Sequence, residues 1–371
     1  MDWTAVVRQR LATQRLTAEP LASAGDTVRL LLGVQAQERE HALSSLVLRS
    51  RVPSIAAART ELDAGSFVRT HILRQTWHFV AAEDLRWLLD LTSPRVEAKE
   101  MAYVRKFVPE PRHLDRALDL MGSALAGGRL STRKELGALM ETHGLPGAGE
   151  AVGHVLMIAE LRGLICGGPI RGREHTYGLV ADLIDARPDM PGDGSDGLSG
   201  SREASLATLG MRFFAGHGPA SAKDLARWAT LTAVDAKAAV AGARSLGELE
   251  EVQVDGIPHW FSPAMAAEPV AARLADAFLF PVYDEAVLSY PLVTFPSLGD
   301  APRVDGVEAS WGWAVLDATR VGLWKRTVHS DRVTVETRLA PSLGRGERRR
   351  VAAAVDRLAA ANGLPAEHVE V

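Results

Sequence analysis

The chain of 371 residues holds a single cysteine, Cys166. One thiol excludes an internal disulfide framework and any cysteine-built zinc site, and it suits a reducing compartment. Long apolar runs are missing too, since no stretch approaches the roughly 20 residues of a membrane span. The opening MDWTAVVRQR carries charges with no signal-type apolar core behind it. A cytoplasmic, nucleoid-associated protein without a membrane partner is therefore expected. Positive charge is not in excess either: 42 Lys and Arg face 46 Asp and Glu, for a net charge of −4. Generic nucleic-acid binders show the reverse balance, so any DNA surface must be a local patch.

What is present is ordinary globular material, 47% hydrophobic and 24% charged. Such a chain buries a large core and divides into about two to four units. Its clearest break is RPDMPGDGSDGLSGSRE, Arg187 to Glu203, where Pro, Gly, Ser and Asp crowd together without apolar periodicity. That composition reads as a linker or exposed loop. On either side lie two segments of one plan, from Leu130 and from Gly218. Each opens on a capping pattern, Thr132 with Glu135 and Ser221 with Asp224. A short helix follows in each, then an amphipathic one, at about 151–162 and 234–244. Two strands come next, joined through GGPIRGRE in the first and Asp255-Gly256 in the second. The second junction is a strong hairpin signal.

Helix, helix, strand, turn, strand is the pattern of a winged helix-turn-helix. A less regular copy precedes these two: helical patterns over 30–51, interrupted near residue 35, and over 54–64, then FVRTHILRQTWHFV as a strand pair. From about Phe278 the chain is mostly strand-like and closes with a helix over 346–362. The expected architecture is α+β. Three tandem winged helix-turn-helix units occupy 1–110, 111–187 and 204–277, with the linker or loop at 188–203 and a β-rich C-terminal domain over 278–371.

Winged helices lay wing residues on phosphates, so wing charge is informative. Arg171 and Arg173 against Glu174 suit phosphate. Glu248, Glu250 and Glu251 in the third unit should repel DNA, which makes that wing scaffold. Lys325 to Arg350 holds eight lysines and arginines against three acids, Asp331, Glu336 and Glu347, and offers Lys325 and Arg326 as further contacts. In the first unit Arg69, His71 and Arg74 recur along one hairpin, where Arg69 and His71 share a face by the two-residue period.

The stretch LLGVQAQEREH sets Gln35 and Gln37 one residue apart. On an α-helix that spacing turns them apart by roughly 200°, so acting on one point requires a bend or a helix end. Gly33 lowers the cost of such a break. With GVQAQERE, the segments RTHILRQTWHFVAAEDLRWLL, GPASAKDLARW, FLFPVYDEAVLSY and VLDATRVGLWKRT run in order along nearly the whole chain. Together they resemble the winged-helix DNA glycosylase family typified by the azinomycin-resistance enzyme AlkZ. The resemblance implies three winged helices around a DNA-binding channel and a catalytic Gln-apolar-Gln element, here Gln35-Ala36-Gln37. A sister branch carries aspartate at the second position; the glutamine here places the chain with the self-resistance branch. DNA carrying alkylated purines is then the expected partner, bound by a monomer, and no cofactor is implied.

The chemistry fits on its own terms. An N7-alkylated guanine or N3-alkylated adenine already carries positive charge, so its glycosidic bond is weak and the base leaves with little protonation. A carboxamide is too poor a base to deprotonate water in the ground state, but its oxygen accepts a hydrogen bond and fixes the water in place. No lysine lies close in sequence to act as a Schiff-base nucleophile, which favours monofunctional hydrolysis. A bulky adduct or interstrand crosslink resists rotation into a closed pocket, so it has to be attacked nearly in place. Two other readings remain open: a tandem winged-helix transcriptional regulator that needs neither glutamine, and an interaction scaffold without DNA affinity.

Overall fold

The computed structural model describes residues 2–185, 201–247, 249–266, 276–290, 295–303 and 310–371. It is a mixed α+β protein of helices and small, mostly antiparallel sheets. Most of the expected linker, Arg187–Glu203, lies outside the described residues, as does Glu248. No helix among the described residues is long and apolar enough to cross a membrane.

Helix–helix–hairpin units recur along the chain. In the second, the helices Arg133–Thr142 and Gly149–Leu161 lead to the strands Ile165–Arg171 and Glu174–Leu179. In the third, Ala222–Trp228 and Ala233–Ser245 lead to Glu250–Val254 and Ile257–Phe261. Both begin on reciprocal capping boxes, Thr132 with Glu135 and Ser221 with Asp224. Each box satisfies two backbone N–H groups that the first helical turn leaves unpaired. The third hairpin closes on Asp255 and Gly256, with φ of 49° and 73°, as a primed turn with the twist of a tight hairpin requires.

The first unit departs from the expected pattern. Its helices are Ala24–Leu31, Arg39–Arg49 and Ile55–Asp63, and its strands Phe67–His71 and Trp77–Ala81 form a sheet that also takes in Val34–Gln35 at the open edge of Trp77–Ala81. The interruption near the glutamines is thus a strand, paired antiparallel with Val34 opposite Phe79 and Gln35 opposite His78. The backbone reverses at Leu32, which adopts the left-handed conformation with φ 61°. Gly33 serves close approach instead: a Cβ there would stand 2.8 Å from Leu73 Cδ1.

Four long helices were not anticipated: Trp3–Thr13, Leu85–Phe107, Pro111–Leu125 and Arg202–His217. Val7 and Leu11 of the first pack with Phe278 and Phe280 from the far end of the chain. The C-terminal region is a five-stranded sheet in the order Ala366–Glu370, Val333–Leu339, Thr319–Val328, Gly312–Leu316, Ala277–Phe280. The expected closing helix is Arg345–Ala361, but a last strand follows it and pairs parallel with Val333–Leu339. Within VYDEAVLSY, Glu285–Leu288 is a short helix rather than strand, capped by Asp284, whose carboxylate accepts from Ala286 N–H at 2.8 Å.

One apolar core draws together the first and third units and Tyr290. It includes Leu73, Leu85, Phe213, Trp228 and Trp260. That shared core sets Trp228, at the end of the helix Ala222–Trp228, beside Gly33 just ahead of the strand carrying the first glutamine.

Candidate active site around the paired glutamines

An extended chain puts alternate residues on one face. Ala36 is buried in the core of the first unit, while Gln35 and Gln37 on either side of it are half-buried. The spacing that would set the amides apart on a helix therefore sets both away from the core.

Four hydrogen bonds from three residues hold this short strand and its continuation. The Ala36 N–H donates to Trp77 O at 2.7 Å and continues the ladder. The Gln35 N–H donates to Glu285 Oε1 at 2.8 Å. Arg69 spans the remaining backbone, with Nε donating to Ala36 O at 2.9 Å and Nη2 to Gln37 O at 3.2 Å. Its guanidinium lies 4.2 Å from the Trp77 ring centroid. Burial lowers the Arg69 pKa to about 10, which still leaves it protonated at neutral pH. An edge strand of two residues has too few ladder bonds to be rigid alone, and the Arg69 fork supplies two more.

Glu285 is the hub on the other side. It is fully buried and also accepts from Trp228 Nε1 at 3.0 Å and Ser289 Oγ at 2.7 Å. Arg74 approaches it at 3.8 Å, donates to Trp228 O at 2.9 Å, and donates through Nη2 to Gln35 Oε1 at 3.0 Å. Burial depresses the Arg74 pKa and Glu285 opposes that shift. The Gln35 amide is thus aimed by a charged network drawn from three distant parts of the chain.

Gln37 differs. Its side chain makes no hydrogen bond among the described residues, and it lines an open cavity of about 410 Å³ with His71, Gln75, Trp77, Tyr103 and His154. Behind the walls stand buried carboxylates: Glu160 on His71 Nδ1, and Glu100 on His154 Nδ1. Glu100 also accepts from Gln75 Nε2 at 2.7 Å. A second cavity of about 690 Å³ shares Trp77 and Arg133 and extends along Lys134 and His175. No cluster of His, Cys, Asp or Glu suited to a metal ion occurs among the described residues.

The residues expected to touch DNA separate into two groups. Arg69 and His71 are only 7% and 3% exposed and are engaged inside the protein, and Arg74 is largely enclosed in the network just described. Arg326 likewise turns inward, donating to Ser44 Oγ at 2.7 Å and Glu40 O at 2.9 Å, with burial lowering its pKa to about 10. Side chains so enclosed cannot reach a phosphate without breaking bonds that hold the fold. Sequence alone could not detect this, because their partners lie far along the chain. Arg173 is exposed and has no partner among the described residues, and Arg171 is half-exposed while paired with Glu135 at 2.9 Å. Lys325 pairs with Glu336 at 3.0 Å and lies over the Trp311 ring. Much of the basic stretch is already answered, since Arg332 meets Glu367 and Arg350 meets Asp317. In the third unit Glu250 and Glu251 are exposed on their hairpin.

The roles of Glu285, Trp77, Glu160 and Trp228 were not legible beforehand. Each acts through a partner remote in sequence, and no spacing rule marks them.

Comparison with known proteins bears on this arrangement. The model of the family described as DNA glycosylase AlkZ-like matches residues 28–361. The chain is 25% identical over 335 residues to a Streptomyces sahachiroi protein named interstrand DNA cross-link repair glycosylase, covering 87% of this chain and 88% of that protein. The solved structure of Streptomyces sahachiroi DNA glycosylase AlkZ superposes with a TM-score of 0.74 at 23% identity, over 100% of both chains. That last likeness bears on the fold.

Proposed function

The chain belongs to the AlkZ-like DNA glycosylase family, and from that premise we propose that it hydrolyses the N-glycosidic bond of alkylated purines in double-stranded DNA by a monofunctional route that needs no cofactor. The observation that carries the reading is the Gln37 amide, without a hydrogen bond among the described residues and at a cavity wall, on a backbone held by Arg69, with Glu285 holding the adjoining Gln35 N–H. A carbonyl oxygen on a fixed backbone positions a water well; a mobile one does not. Gln35 is the second positioning group, with its amide oriented by Arg74. A neutral pair suits a cationic leaving group and serves an undamaged base poorly, which gives selectivity against normal DNA.

The three helix–helix–hairpin units are read as winged helices bordering a DNA channel, with Arg171, Arg173 and Lys325 as its phosphate contacts. Bulky adducts and interstrand crosslinks are the favoured substrates, in keeping with the name of the Streptomyces sahachiroi relative. Protection of a cell that makes a DNA-alkylating natural product is the corresponding biological role. The family match disfavours a transcriptional regulator.

The test is a panel of duplexes, each carrying one lesion, followed by alkaline cleavage of abasic sites. Release of N7-alkylguanine, from methyl adducts to crosslinks, is expected. Uracil and 8-oxoguanine should stay in place, because neutral bases leave poorly without stronger acid assistance. Efficient uracil excision with inert N7-alkylguanine overturns the reading.

Charge supplies a second check. Reversing Arg171 and Arg173 to glutamate weakens binding to any duplex and flattens its salt dependence by about one unit of slope per lost phosphate contact. Reversing Glu250 and Glu251 to lysine does not weaken it. Equal losses from the two pairs would remove the distinction between a contact hairpin and a scaffold hairpin.

A further inference from the structure

Hydrolysis at C1′ has to place a proton from the attacking water somewhere, and a carboxamide cannot take it. Building on the reading that Gln37 holds that water, we propose that the buried His71–Glu160 pair accepts the proton, with His71 as general base and Glu160 as its positioning residue.

Placement comes first. His71 lines the same cavity as Gln37. The strand register sets His71 opposite Trp77, and the carbonyl of Trp77 in turn accepts from Ala36 N–H at 2.7 Å. Gln37, Trp77 and His71 therefore follow one another across the end of one sheet. The imidazole packs on the Trp77 ring with centroids 4.3 Å apart, which fixes its plane.

Chemistry comes second. His71 Nδ1 is bonded to Glu160 Oε2. The Glu160 side chain has 0% exposure, and its other oxygen, Oε1, is buried with no hydrogen-bond partner. A carboxylate so placed accepts the Nδ1–H, fixes that tautomer, and leaves Nε2 with its lone pair for the cavity. It also stabilises the imidazolium once a second proton arrives.

The surrounding charges are mixed. Arg69 on the same strand and Arg133 at the cavity wall oppose a charged imidazole. Glu150 at the wall, and Glu100 behind His154, favour one. Burial holds His175 at about 3 and His78 well below the usual histidine range, so neither competes for the proton. Tyr177 is pushed above its usual range by burial and stays neutral.

In the proposed step the water oxygen bonds to C1′ while the C1′–N9 bond of a 7-alkylguanine breaks. The bonding pair passes to the purine, which leaves uncharged. The water proton goes to His71 Nε2 and then to solvent.

The experiment follows single-turnover release of N7-methylguanine from a methylated duplex by the full chain, across the pH range in which the fold persists. The wild-type rate is expected to fall on the acid side as one ionisation protonates His71. His71→Gln should lower the rate by about 100-fold and abolish that acid limb while leaving duplex affinity unchanged. Glu160→Gln keeps the side-chain shape but removes the charge that favours imidazolium, so the rate drops and the acid limb moves to lower pH. Either variant at the wild-type rate overturns the proposal. So does an unchanged acid limb in both, whatever the rates, since a purely structural role scales activity equally at every pH. A wild-type protein unable to release N7-methylguanine removes the substrate reading as well, so the two failures are told apart by the wild-type lane.

Discussion

Replacing Gln37 with alanine lowers base release by about 10- to 1000-fold, the range expected when a pre-positioned polar group is lost, with the fold and duplex affinity intact. The expectation is sharp because the Gln37 side chain has no hydrogen bond to lose among the described residues, so truncation leaves nothing buried unpaired. Its backbone stays under the Arg69 fork. Gln35→Ala produces a similar loss of rate with a small cost in stability, about 1 kcal/mol, because Arg74 forfeits its bond to Oε1. Single-turnover kinetics on N7-methylguanine duplex, with a gel shift and a thermal melt on the same preparations, separate these quantities. If both variants excise at wild-type rates, the catalytic assignment is wrong. Gln37→Glu probes the same point differently, since a carboxylate there offers a base but also meets phosphate repulsion.

The largest stability effect is expected from Asp284→Ala. Arg49 and Asp284 form a bidentate pair with 0% side-chain exposure on both sides, at 2.7 Å and 3.0 Å. Arg49 also donates to Ser45 O and to Gln14 Oε1, so the pair ties the N-terminal segment, the helix after the glutamines and the C-terminal region together. Removing the carboxylate leaves a buried guanidinium without its counter-charge, a loss of about 3–5 kcal/mol. Excision should fall with it, because the adjacent Glu285 carries the Gln35 N–H. Denaturant unfolding of wild type and variant measures the first effect; a loss below about 1 kcal/mol contradicts the argument. Substituting both partners with apolar residues of similar volume should recover most of the stability, since no charge is then stranded. It should leave the fold, and the geometry of Glu285, closer to wild type than the single change does.

Both predictions turn on contacts that sequence reading reached only in part. Local chemistry was legible. Thr132 with Glu135, Ser221 with Asp224 and the Asp255-Gly256 turn each satisfy backbone groups within a few residues, so their signals are complete in the sequence and the helices and hairpin stand where those signals place them. The Gln-Ala-Gln element and the ordered blocks around it likewise pointed to the family that matches residues 28–361. The tertiary structure decided how that element is built. It built the expected break between helices as a short edge strand, which is stable only where a sheet receives it and distant groups such as Arg69 and Glu285 close its open bonds. It also turned Arg69, His71 and Arg326 inward, although an arginine or histidine on an alternating strand looks the same in sequence whether it meets solvent or a buried acceptor. The Gln35 N–H meets a carboxylate 250 positions away, and Arg49 meets its own 235 positions away. Periodicity carries no information about such pairings, because they are selected by the packing of whole units, where burying an unpaired charge costs more than any local preference returns.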